Sequence, residues 1–287
     1  MPLLDPESVL ELRPRLVRLA YRMLGSIAEA EDAVQEALLR YQDVPEGVDS
    51  PRAYLARMVT RISLDVLKSA RRQRETYVGP WLPEPLIEGE ESVADDLTLT
   101  LMMALERLSP LERAAFLLHD VFEVGLDDIA RELGRDPAAC RKLATRAREH
   151  VKASRPRYDV TPDRGAEIAR AFYVASRSGD LSTLRQLLAE DVVVYSDGGG
   201  KSSAATKPVL GASRVEKFFM GIARKDAYRQ PPYYEPAWID GLPGYITRGN
   251  DGVLQTTAFA IDSDKIVAIY SVRNPDKLTH VANAVRQ

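Results

Sequence analysis

The stretch Leu126-Asp-Asp-Ile-Ala-Arg-Glu-Leu-Gly-Arg-Asp-Pro-Ala-Ala-Cys-Arg-Lys-Leu-Ala-Thr-Arg-Ala-Arg148 holds two helical patterns and the signals that separate them. Gly134 stops the first helix, Leu126 to Leu133, because glycine enters the left-handed conformation that ends helices without a Cβ penalty. Asp136 is the next N-cap and Pro137 the first position of a helix running to about Ala153. This is helix-turn-helix spacing. On the second helix Cys140, Leu143, Ala144, Ala147 and Val151 recur on one side. A rotation of about 100° per residue turns Ala138, Arg141, Lys142 and Thr145 away from them. From there Arg141 and Lys142 reach guanine edges in a major groove, whereas Arg146 and Arg148, with Lys152, Arg155 and Arg157 beyond, suit phosphates. Capped helix pairs also occur in ordinary bundles, so this segment alone leaves DNA binding and plain packing both open.

Upstream, Ser109-Pro-Leu-Glu112 combines a cap, an N1 proline and a capping-box glutamate. The helix it opens buries Leu111, Ala114, Ala115, Leu118 and Val121, and Asp95 and Asp96 precede a further apolar helix through Leu108. Residues 95–157 therefore read as a four-helix unit.

The chain begins with a three-helix unit, residues 1–75. Leu12, Leu16, Leu19, Ala20 and Met23 form one stripe, which Gly25 ends. Ser26 and Glu29 have capping-box spacing, and Ala30, Ala33, Val34, Ala37, Leu38 and Tyr41 form the next stripe, with Asp32, Gln35 and Glu36 opposite. After a loop from Gln42 to Asp49, Ser50 and Pro51 start a third helix that buries Tyr54, Leu55, Met58, Val59, Ile62 and Val66. That helix ends in Lys68, Arg71, Arg72 and Arg74, where a phosphate backbone can be held. A solvated helix end accounts for this cluster equally well, since cations favour helix C-termini.

The run Glu29-Ala-Glu-Asp-Ala-Val-Gln-Glu36, then Pro51-Arg-Ala-Tyr-Leu55 and Leu64-Asp-Val-Leu-Lys68, resembles domain two of the extracytoplasmic-function sigma factors. Leu105-Glu-Arg-Leu-Ser-Pro-Leu-Glu-Arg113, Asp128 to Gly134 and Arg141 to Arg148 resemble domain four of the same family. The resemblance implies that Asp32, Gln35 and Glu36 dock on core RNA polymerase, and that residues between Tyr41 and Ser50 read the minus-10 element. It implies that Arg141, Lys142, Thr145, Arg146 and Arg148 meet the minus-35 element, with Lys68, Arg71 and Arg72 as further DNA contacts. Tyr54 stands where that family usually has tryptophan, and Thr60-Arg61 replaces a common Arg-Asn pair.

Between the helical units, a linker over residues 76–94 is rich in Pro, Gly and Glu, which favours extended chain. Trp81, Leu82 and Leu86 are too apolar for a passive linker. Packing on its own helical domain and contact with the C-terminal domain or polymerase are both open to them. Residues 158–287 then change pattern. Helices at Asp163–Ser178 and Leu181–Leu188 lead to a strand around Val192–Tyr195, a helix near Gly211–Arg224, and strands near Tyr234–Ile239, Gly244–Arg248, Leu254–Ile261 and Ile266–Arg273. Helices first and a hairpin-rich sheet after imply an α+β domain.

That order resembles the SnoaL-like cone domains. Trp81-Leu-Pro-Glu-Pro85, Asp197-Gly-Gly-Gly-Lys201 and Asn274-Pro-Asp-Lys-Leu278 resemble the signature of a sigma-factor subgroup with such a domain fused behind domain four. The fold class is thus multi-domain: two all-α sigma domains plus a C-terminal α+β SnoaL-like domain. In that subgroup the extension is a built-in regulator, which implies interdomain roles for Trp81, Leu82, Pro83, Asp197, Lys201, Asn274, Pro275, Asp276 and Lys277.

A cone fold has a cavity, and Tyr195, Asp197, Trp238, Tyr270 and Arg273 lie on strands or strand ends from which they could line it. Core packing is the competing account of Tyr195 and Tyr270. The second functional reading is a ligand-gated factor or a residual enzyme with Asp197 as general base and a small-molecule partner. One acid with no histidine nearby weighs against catalysis, so no enzyme is expected.

With 45% hydrophobic and 28% charged residues over 287, the chain falls outside the disordered and membrane classes and suits two or three domains. Its apolar runs are interrupted and shorter than a bilayer span, so a cytoplasmic protein with no membrane partner is expected. A net charge of -3 leaves nucleic-acid binding to local clusters. Cys140 has no partner cysteine and His119, His150 and His280 lack ligand spacing, so neither metal nor cofactor is expected.

Overall fold

A computed structural model describes residues 6–42, 50–87, 99–153, 160–225 and 233–284. The chain divides into two compact units, Met1–Glu75 with Leu101–Arg155 and Thr76–Thr100 with Pro156–Gln287.

The first unit is helical: α1 (Pro6–Leu24), α2 (Ile27–Gln42), α3 (Pro51–Glu75), α4 (Leu99–Glu106, whose first two residues fall in the second unit), α5 (Pro110–Phe116), α6 (Leu126–Leu133) and α7 (Pro137–Ala153). Each start follows the local chemistry. Ser50 Oγ accepts from Ala53 N at 3.3 Å, Asp136 Oδ1 accepts from Ala139 N at 2.8 Å, and Ser109 and Glu112 form the reciprocal capping box. Gly134 ends α6 at φ 61°. Most of the apolar stripes is core, with Leu16, Leu19, Met23, Val34, Leu55, Val59 and Cys140 fully or almost fully buried, whereas Leu38, Tyr54, Met58, Val66, Leu111, Val121 and Leu143 are half-buried. Thr60 and Ser63 are buried on α3 because each hydroxyl donates to a carbonyl four residues back, Ala56 O and Val59 O, both at 2.8 Å. Arg113, 3% exposed, donates through Nη1 to Met23 O at 2.5 Å and Glu106 Oε1 at 2.7 Å, joining α5 to α1 and α4 through a buried, paired charge. Arg57 of α3 pairs with Asp128 of α6 at 3.5 Å.

The patterning does not reveal the π-helical turn Leu117–Val121 that continues α5. Asp95, Asp96, the loop residues 43–49, Arg155 and Arg157 lie outside the described residues, as do the side chains of Arg71, Arg72 and Arg74.

In the second unit, α8 (Pro162–Ser178) and α9 (Leu181–Leu187) precede β1 (Leu188–Asp197), β2 (Val209–Leu210), α10 (Ala212–Ala223), β3 (Tyr233–Ile239), β4 (Leu242–Arg248), β5 (Leu254–Asp262) and β6 (Lys265–Val272). A 3-10 turn Pro275–Leu278 leads into α11 (Thr279–Ala284). The sheet order is β2-β1-β6-β5-β4-β3, antiparallel except for β1 beside β6. Ser263 and Asp264 both take positive φ, 49° and 61°, as a two-residue hairpin loop of primed type requires. Phe172 of α8 packs 4.9 Å from Phe219 of α10 and from Phe259 of β5, which sets the helical layer on one face of the sheet. The expected helix to Leu188 stops one residue early, because Leu188 already pairs with Ile266. The short β2, the 3-10 turn and α11 carry no local signal strong enough to anticipate.

Candidate functional site

The most organised polar site of the second unit lies where β1 and β6 end. Asp197 closes β1, and its main-chain oxygen accepts from Arg273 N at 2.7 Å and Asn274 N at 3.1 Å just past β6. Its carboxylate is fully buried and takes four donors. Oδ1 accepts from Tyr77 OH at 2.5 Å and Gly199 N at 3.0 Å; Oδ2 accepts from Leu82 N at 2.9 Å and Lys277 Nζ at 2.8 Å. A buried carboxylate is tolerable only when paired and hydrogen-bonded in this way.

Lys277 completes the clasp. Its ammonium also donates to Leu82 O and lies 4.0 Å from the Trp81 ring centroid and 5.0 Å from that of Tyr77. Asn274 caps the 3-10 turn by accepting from Asp276 N at 3.1 Å, and its Nδ2 donates to Tyr77 OH at 2.9 Å. Burial, then the hydrogen bond to Asp197, push the Tyr77 hydroxyl pKa well above its ordinary value. Gly199 has φ 57°, and a Cβ there would stand 2.4 Å from Asn274 Nδ2, so the glycine run permits the close approach. Lys201 and Asp276 form an outer pair at 2.5 Å, both largely exposed.

The linker continues along this surface. Leu82, Pro83 and Pro85 are buried; His280 Nε2 lies 2.6 Å from Pro85 O. Leu86 N donates to Asp240 Oδ1 at 3.3 Å, Asp240 N donates to Leu86 O at 2.9 Å, and Ile87 bridges to Ile239 at the end of β3. Of the two packing partners open to Trp81 and Leu82, the structure supplies the C-terminal domain. Trp81, Leu82, Asp197, Lys201, Asn274, Asp276 and Lys277 thus come together, with Pro83 and Pro275 in the same segments. Tyr77, Asp240 and His280 are site residues that sequence reasoning missed.

The expected pocket residues need correction. A cavity of about 170 Å³ is lined by Val194, Ser196, Phe219, Tyr245, Ile269 and Arg273 among others. Tyr195 and Tyr270 occupy the opposite strand face, where their rings stack 5.5 Å apart at 9°. Strand alternation is the reason: Ser196 and Ser271 turn inward, so their neighbours turn outward. Trp238 lies in a separate groove with Asp163, Arg170 and Pro243. Asp197 does not line the cavity, and its carboxylate is committed to the clasp instead of facing Arg273. Arg273 does line it, held by Gln255 Oε1 at 2.8 Å and Asp251 Oδ2 at 3.0 Å.

In the first unit, Asp32, Gln35 and Glu36 are exposed on α2, with Glu36 bonded to Arg40. Arg141, Lys142, Thr145 and Arg146 are exposed on α7. Arg148 is gripped by Asp120, at 2.6 Å through Nη2 and 3.1 Å through Nε. Lys68 pairs with Asp65 at 2.8 Å.

Comparison with known proteins agrees with this layout. Residues 9–73 match the Sigma-70 region 2 family and residues 98–151 match Sigma-70, region 4. The chain is 37% identical over 284 residues to the ECF RNA polymerase sigma factor SigJ of Mycobacterium tuberculosis H37Rv, covering 93% of this chain and 91% of that protein. It is 34% identical over 283 residues to the probable ECF RNA polymerase sigma factor SigI of M. tuberculosis CDC 1551, covering 93% and 92%. The crystal structure of M. tuberculosis SigJ superposes with a TM-score of 0.78 at 34% identity, covering 96% of this chain and 98% of that one. No described helix is long and apolar enough to cross a membrane.

Proposed function

We propose, for a chain that belongs to the extracytoplasmic-function RNA polymerase sigma factors, that its C-terminal domain controls initiation by holding the linker between the two sigma regions. As an alternative sigma factor it directs promoter-specific transcription initiation. Its partners are core RNA polymerase, through the acidic face Asp32, Gln35 and Glu36, and promoter DNA, through α7 and the basic end of α3. Its place of action is the cytoplasm, where transcription occurs. The domains that serve these roles are residues 1–75 and 95–157, with 76–94 as linker and 158–287 as regulator.

One observation carries the regulatory part: the Asp197 carboxylate binds Tyr77 and Leu82 of the linker. A proline-rich run with free ends is a semi-rigid spacer. Tied at Tyr77, Leu82, Pro85 and Leu86, its residues 77–86 have one fixed path. The same bonds speak against a residual hydrolase. A general base needs a lone pair within reach of a substrate proton, and this carboxylate is buried under four donors.

Transcription of fragmented genomic DNA by core polymerase plus the purified full chain tests both parts. The full chain, or the chain truncated near Arg157, initiates at a defined promoter set. Asp197→Asn changes transcript yield at those promoters several-fold. Failure of both chains to initiate anywhere defeats the sigma assignment; an unchanged yield from Asp197→Asn defeats regulation through the clasp.

A further inference from the structure

The cavity between the sheet and α10 has the size and charge of a ligand site. Its volume, about 170 Å³, exceeds the roughly 150 Å³ of an apolar cavity that takes up benzene. Phe218, Phe219, Ile222, Val194 and Ile269 form an apolar wall, while Ser196, Thr257, Gln255 and Ser271 offer hydrogen-bonding groups. Lys225, Arg177 and Arg273 are the cationic lining residues, and among the described lining residues there is no carboxylate, although Arg273 already has its counter-charge in Asp251 at 3.0 Å. Lys225 is exposed and Arg177 half-buried with its guanidinium 5.4 Å over the Tyr173 ring, so the positive charge of the lining is carried by these two.

The cavity and the clasp are two faces of the same strand ends. Ser196 lines the cavity and the next residue, Asp197, binds the linker. Arg273 lines the cavity and the next residue, Asn274, binds Tyr77. Both Arg273 N and Asn274 N donate to Asp197 O. A group that shifts Arg273 therefore moves the backbone that carries the clasp.

We infer that this cavity binds a small amphipathic monoanion, a carboxylate on an apolar group of about benzene size, and that its occupancy alters the hold of Asp197 on the linker. The coupling rests on the clasp reading above; the binding does not. The anion meets Arg177 and Lys225, and the apolar part packs on the wall of Phe218, Phe219 and Ile269. Binding energy changes the clasp only to the extent that the ligand favours one arrangement of Arg273.

Calorimetric titration of the full chain with benzoate and with neutral benzamide tests the ligand class. Benzoate saturates a single site, benzamide binds at least about tenfold more weakly, and the double variant Arg177→Gln/Lys225→Gln weakens benzoate by about tenfold. Hydrogen exchange at the Leu82 amide, which the Asp197 carboxylate protects, changes at least about threefold on benzoate saturation. Absence of saturable benzoate binding overturns the site. Equal affinity for the two probes overturns the anionic class. Binding with unchanged Leu82 exchange overturns the coupling. In each case the transcription result with Asp197→Asn stands separately, so a failed ligand and a failed clasp are told apart.

Discussion

Lys277 Nζ lies 2.8 Å from Asp197 Oδ2, and the two side chains are 9% and 0% exposed. Both ions are removed from water, so each depends on the other and on their shared linker partner, Leu82. Removing one member of such a pair strands the other.

Lys277→Met should therefore lower the stability of the C-terminal domain by about 3–5 kcal/mol, the cost of an uncompensated buried charge. Adding Asp197→Asn to it should restore part of that loss, because an amide needs no counter-charge. Calorimetric unfolding of the full chain follows the domain's own transition. A double variant as unstable as the sum of the singles would show that the two groups are not coupled.

Tyr77→Phe keeps the ring beneath Lys277 but removes the hydroxyl shared by Asp197 and Asn274. Loss of that donor should cost about 1–3 kcal/mol and speed exchange of the Leu82 amide. The hydroxyl also gives the clasp a pH dependence. Its pKa is raised in the folded chain, so the stability it contributes is complete below the unfolded value near 10 and declines as pH rises from there toward the folded value. Denaturant titrations at pH 9 and pH 11 should show that decline in the parent protein and a smaller one in Tyr77→Phe.

Gly199→Ala should open the same clasp from the opposite side. Its Cβ would stand 2.4 Å from Asn274 Nδ2, and φ 57° disfavours any side chain. A loss of about 1–3 kcal/mol is expected. Gly221 on α10 is the control: a Cβ there meets nothing within 4 Å, so Gly221→Ala should be neutral or stabilise by up to about 1 kcal/mol. Thermal unfolding of the two variants separates the effects.

What could be read in advance was what local chemistry determines. The bounds of α6 and α7 are visible because Gly134, Asp136 and Pro137 lie side by side, and cap bonds span only three residues. The clasp is different. Tyr77 meets a carboxylate 120 residues away, and His280 meets a carbonyl 195 residues away, so nothing near either residue announces its role. The parallel pairing of β1 with β6 is similarly non-local, and it decides which residues share a face. Once Asp197 is given to the linker, strand parity turns Tyr195 and Tyr270 to that side as well, which is why they fail as cavity residues while Arg273 succeeds.

On α7 the ion pair between Arg148 and Asp120 divides the basic face. Arg141 and Lys142 are exposed in the first turns, where a recognition helix meets base edges, whereas Arg148 is bound to an acid. Arg141→Ala in the holoenzyme should therefore narrow the affinity gap between a cognate minus-35 duplex and one with a substituted guanine by about 1–3 kcal/mol. Arg146→Ala should weaken both duplexes alike and reduce the salt dependence of binding, as loss of a phosphate contact does. Asp120→Asn frees the Arg148 guanidinium from its counter-charge, so it should strengthen binding to both duplexes and steepen the salt dependence. Fluorescence anisotropy of labelled promoter fragments across a salt series distinguishes the three. If Arg141→Ala lowers affinity for the two duplexes equally, that side chain holds phosphate and base reading falls to Lys142 and Thr145.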